Sequence, residues 1–80
     1  MKLTISKIDN VLFSGEADSV TVPGIDGEMT ILSHHMPLIT TLKSGNIIVK
    51  HSQSKSQGKE DFLITSGFLE VGKDETVILV

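Results

Sequence analysis

Apolar and polar side chains alternate over short stretches of this chain. Leu3 and Ile5 flank Thr4, Val20 and Val22 flank Thr21, and Leu69 and Val71 flank Glu70. Successive side chains of a strand point to opposite faces, so this period of two predicts strands with one apolar and one polar face. Turn-forming residues punctuate the alternation at Ser14-Gly15, Pro23-Gly24, Asp26-Gly27, Ser44-Gly45-Asn46, Gln57-Gly58, Ser66-Gly67 and Gly72-Lys73-Asp74. Short strands at such spacing predict an all-β sandwich or barrel of antiparallel strands, because the long helical crossovers of a βαβ unit have no counterpart here.

Two stretches break the alternation. Ile47-Ile48-Val49 and Val77 to Val80 are continuously apolar, which in a strand means burial on both faces or contact with another subunit. Pro37 to Leu42 has the 38/39/42 spacing of a helical turn, but its Ile and two Thr favour a strand. The polar run HSQSKSQGKE around residues 52–59 reads as a flexible hairpin tip.

Composition supports the strands. Val, Ile, Thr and Phe supply 26 of the 80 residues, Ala occurs only at position 17, and Arg is absent. Eighty residues make one domain. Without Cys no disulfide staples it, and a domain this small gains from a partner. The net charge of −3 and 4% aromatic content argue against nucleic acid, which calls for clustered positive charge and stacking rings. The N-terminal residues lack an apolar signal region, and the longest apolar run is far short of the roughly 18 residues needed to span a bilayer.

Catalytic motifs are missing: no nucleophile elbow, zinc-protease helix or Gly-rich phosphate loop occurs. Gly58-Lys59 lacks the earlier Gly and the following hydroxyl of a phosphate loop, and Glu60 would repel phosphate. His34, His35 and His51 are the one candidate metal set, but adjacent strand residues point apart, so His34 and His35 do not chelate one ion. Asp26 and Glu28 lack the further oxygen ligands of a calcium loop. Asp26-Gly27 instead suits a turn, with Gly taking positive φ. These residues predict no catalytic site, no cofactor and no bound metal.

The stretch VTVPGIDGEMTILSHHMPLITTL (20–42), the later SGFLEV (66–71) and the closing TVILV (76–80) resemble the epsilon-subunit family of the F-type proton-translocating ATP synthase. That family carries V-x-x-P-G-x-x-G-E-x-G-I-L-P-x-H-x-P-L, then G-G-x-x-E-V and V-x-V-L. Pro23, Gly24, Gly27, Glu28, Ile31, Leu32, His35, Pro37, Leu38, Gly45, Gly67, Glu70 and Val71 agree, and Phe13-Ser14-Gly15 matches an upstream F-x-G step. Thr30, Ser33, His34, Met36 and Ser66 depart from the pattern.

The resemblance implies a flattened sandwich of two antiparallel sheets with about ten short strands, filling residues 1–80 as a single domain. It implies a non-catalytic subunit of the central stalk that links the gamma subunit to the membrane c-subunit ring and couples proton-driven rotation to ATP synthesis. Carried onto this sequence, the contact with the c ring falls on Asp26, Gly27, Glu28 and Met29, and the contact with gamma on His35, Met36, Pro37 and Leu38. The implied location is peripheral, at the cytoplasmic face of the plasma membrane, with no direct insertion. The family normally continues into a C-terminal helical hairpin that brakes hydrolysis and in some members binds ATP; with this hairpin absent from the 80 residues, coupling without that brake is expected. The composition alone also admits a free-standing β-sandwich module for peptide or sugar recognition, although the lack of Trp and Tyr disfavours sugar.

Overall fold

The computed structural model describes residues 1–33, 36–51 and 58–80. Among these, nine strands form: β1 (Lys2–Lys7), β2 (Asn10–Glu16), β3 (Ser19–Gly24), β4 (Gly27–Leu32), β5 (Leu38–Leu42), β6 (Gly45–His51), β7 (Gly58–Ile64), β8 (Gly67–Val71) and β9 (Glu75–Leu79). Of residues 37–42, Leu38–Leu42 are thus resolved in favour of the strand. The tip expected around residues 52–59 falls largely outside the described residues, but Gly58 and Lys59 already belong to β7.

The strands follow the hydrogen-bonded order β2-β1-β9-β8-β5-β3-β6-β7, with β4 paired to β3. All pairings are antiparallel except β1 with β9. β3 and β5 share one register pair, Gly24 with Leu42, so the sheet turns over at that corner. One layer is β2-β1-β9-β8-β5 and the other is β4-β3-β6-β7. The all-β, two-layer expectation holds, with the two layers continuous through a single corner.

The alternation read from the sequence becomes the core. Leu3, Ile5, Leu69, Val71 and Ile78 point inward from one layer and meet Val20, Val22, Ile31, Ile47, Val49 and Ile64 from the other. Fully burying such a side chain contributes about 1.5–3 kcal/mol. In β2 the period of two fails for a local reason. The β1–β2 register shifts between Ile5 and Ser6, pairing Ile5 with Phe13 and Ser6 with Val11. Leu12 is the extra residue of this bulge, and both Leu12 and Phe13 pack against the core.

The continuous apolar runs differ from each other. Ile47 and Val49 are buried and Ile48 is half-buried, whereas in the last run only Ile78 is buried and Leu79 is exposed. That second run therefore faces outward on one side.

Candidate functional site

The β3–β4 hairpin carries the first candidate segment. Gly24 and Gly27 pair across its tip, leaving Ile25 and Asp26 as the two exposed turn residues. Gly27 adopts φ of 137°, in the region where a side chain on an L-residue is strained. A Cβ on Gly24 would lie 2.7 Å from the Gly27 carbonyl oxygen and 3.1 Å from the Met29 sulfur. Asp26 and Glu28 are exposed, and Met29 is half-buried and packs against the core.

The tip is fastened to β5. The Ile25 amide donates to the Thr41 carbonyl at 3.0 Å, and the Lys43 amide donates to the Pro23 carbonyl at 2.9 Å. Gly45, with φ of 154°, lets the next strand approach Pro23, because a Cβ there would stand 2.9 Å from the proline Cβ. Three backbone features thus fix the direction in which Glu28 is presented.

The second candidate segment lies partly beside the first. His35, like His34, lies outside the described residues. Met36 and Pro37 are exposed on the connection into β5. Leu38 opens β5, is half-buried and packs against the core. Leu38 and Thr40 line the same cleft, of about 350 Å³, as Gly24 to Met29. The fold therefore brings Asp26 to Met29 and Leu38 to one end of the space between the layers, with Met29 and Leu38 as its apolar wall.

Of the candidate metal set, His51 is the one residue described, and its Nε2 lies 3.1 Å from Glu60 Oε2. No group of three or more His, Cys, Asp or Glu able to hold a metal occurs among the described residues. Among the described residues no helix is long and apolar enough to cross a membrane.

One surface escaped residue-by-residue reading. On the outer face of β5-β8-β9, Ile39, Phe68 and Leu79 are 74%, 59% and 52% exposed. Phe68 pairs with Leu79 and with Thr41, and Ile39 stands two residues from Thr41 along β5, so the three side chains share one face of these strands. Its signal in the sequence was the run Val77 to Val80, for which burial on both faces or contact with another subunit was expected.

Comparison with known proteins gives these segments a context. Residues 1–80 match the family model of the ATP synthase delta/epsilon chain β-sandwich domain. The ATP synthase epsilon chain of Dehalococcoides mccartyi strain BAV1 is 42% identical over 99% of this chain and 54% of that protein. The epsilon chain of Chlorobium limicola is 37% identical over 98% of this chain and 85% of that protein. The chain spans about half the length of the first of these relatives. In fold, it is similar to a chain in the mitochondrial ATP synthase of Euglena gracilis, solved with its OSCP, F1 and c-ring parts. That match has a TM-score of 0.85 at 24% identity, covering 98% of this chain and 48% of the other.

Proposed function

The chain belongs to the β-sandwich family of ATP synthase delta/epsilon chains, and we propose that it is a non-catalytic rotor subunit joining the gamma subunit to the membrane c ring. The observation that carries this reading is the family match over residues 1–80. Supporting it, the exposed Glu28 is held at a hairpin tip fastened to its neighbours by backbone bonds. The hairpin residues Asp26, Gly27, Glu28 and Met29 meet the ring. Met36, Pro37 and Leu38, with His35 beside them, meet gamma.

Mechanically, such a part must pass torque without yielding. Central strands paired on both sides and a close-packed interior give it low compressibility, and a charged contact sets register and rate of docking. The subunit sits peripherally on the cytoplasmic face of its membrane and takes part in coupling proton flow to ATP synthesis.

The test is co-purification of the tagged chain with gamma and with detergent-solubilised c ring. Retention of both is expected, and failure to retain gamma sinks the reading.

A further inference from the structure

The β3–β4 tip shares its end of the sandwich with a second two-residue turn. Registers lead from one to the other across neighbouring strands: Gly24 pairs with Leu42, Leu42 with Gly67, Phe68 with Leu79, and Leu79 with Ser6. Beyond Ser6, Lys7 pairs with Asn10 and leaves Ile8 and Asp9 as the β1–β2 turn. The Val80 amide, donating to the Ser6 carbonyl at 2.9 Å, ties β1 down just before that turn. Four strand steps separate the two turns, about 19 Å at the usual spacing of about 4.8 Å.

Both turns read Ile-Asp, as Ile8-Asp9 and Ile25-Asp26. Asp suits a turn and Ile does not. Ile8 is fully exposed and Ile25 is 56% exposed, so Ile8 gains nothing from burial within this chain. One exposed apolar residue needs no explanation, but the same unfavoured residue in both turns of one end does.

We propose that the c-ring contact spans this whole end of the sandwich, with Ile8 of the β1–β2 turn as an apolar anchor beside the β3–β4 tip. The inference rests on the functional reading above and extends its ring contact to a surface outside residues 26–29. The size of a stable contact requires such an extension. A specific interface buries about 800 Å² on each partner, and the molecule measures 33 × 25 × 24 Å, so a contact of that size takes up an entire side of it. A surface seated on Glu28 at this end therefore reaches across to Ile8. Around the two isoleucines stand exposed charges of both signs, Asp9, Asp26 and Glu28 with Lys7 and Lys43, the polar surround that an apolar anchor has in stable interfaces. The matching surface on the ring is one of apolar sockets set among polar loops.

Binding of detergent-solubilised c ring is titrated with the full chain, with Ile8→Ser, and with Ile39→Ser as the control for loss of an exposed isoleucine elsewhere. Ile8→Ser is expected to weaken ring binding about tenfold or more, the scale of burying one such side chain, while gamma affinity and the urea midpoint stay those of the parent. Ile39→Ser, on the outer face of β5, should leave ring binding unchanged. If Ile8→Ser shifts the midpoint, Ile8→Thr takes its place, keeping the branched shape.

Unchanged ring binding in Ile8→Ser overturns the proposal. An equal loss from Ile39→Ser also overturns it, because the effect is then general to exposed apolar surface, and so does a parallel loss of gamma binding, which gives the turn to gamma. Each of these leaves the rotor reading standing while the parent chain holds both partners. A parent chain that does not hold the ring removes the proposal together with the ring half of that reading, and one that holds neither partner removes the reading entirely.

Discussion

Gly24 and Gly27 face each other across the tip of the β3–β4 hairpin, and they are glycines for different reasons. A Cβ on Gly24 would meet the Gly27 carbonyl oxygen and the Met29 sulfur, whereas one on Gly27 would meet nothing within 4 Å. The constraint at Gly27 is its φ of 137°. Gly24→Ala is therefore expected to cost about 1–3 kcal/mol by overpacking, and Gly27→Ala about 1–3 kcal/mol by backbone strain. Stereochemistry separates the two causes. D-alanine at position 27 by chemical synthesis should restore stability in urea denaturation, because positive φ suits a D-residue. Equal losses from L- and D-alanine at that position would refute the backbone account. Glu28 is exposed beside this tip, and Glu28→Lys should weaken capture by the c ring most at low salt, where charges are least screened. Unchanged capture at every salt concentration would reduce Glu28 to a surface charge. Thr30, which departs from the family's usual Gly, pairs with Thr21, and their hydroxyl oxygens stand 3.0 Å apart on the outer face. This cross-strand bond accommodates the departure without disturbing the hairpin.

At the scale of the strands, the single Gly24–Leu42 pair is where one layer becomes the other. Leu42 is 1% exposed at that corner, and Leu42→Ala should cost about 2–5 kcal/mol, as large-to-small changes in cores do. A loss under about 1 kcal/mol, the size of an ordinary surface change, would mean the corner collapses around the gap. The strands themselves were legible wherever a ladder is regular. β1, β3 and β8 alternate because each has one face on the core. β2 hid its inward residues because a bulge turns Leu12 and Phe13 to the same side. The parallel pairing of β1 with β9 was not legible either, because it joins opposite ends of the chain and a period of two names no partner. The Asp26-Gly27 turn could be read from its residue types. Its sharing of a cleft with Leu38 depended on the bond between Ile25 and Thr41, which no local pattern announces.

At the scale of the whole molecule, the two ends of the hydrogen-bonded path, β2 and β7, have no ladder joining them among the described residues. From β2 the Phe13 ring lies 6.0 Å from the His51 ring of β6 at 35°, and His51 bonds Glu60 of the adjoining β7. Elsewhere, the outer face of β5-β8-β9 leaves Ile39, Phe68 and Leu79 in water. Large contiguous apolar patches on a protein surface mark contact sites, and a chain of 80 residues without disulfides has little stability in reserve. In the proposed rotor role this is tolerable, because the domain would work while bound. Any partner that binds the folded chain and not the unfolded one adds stability by mass action, about 2.7 kcal/mol when its free concentration is a hundred times its Kd. Urea denaturation of the chain with gamma at that excess should therefore shift the midpoint upward with no large change in the slope of the transition. The shift should grow with the logarithm of gamma concentration, which distinguishes binding to the native state from nonspecific crowding. A midpoint that stays fixed as gamma is raised would show that gamma does not hold this domain.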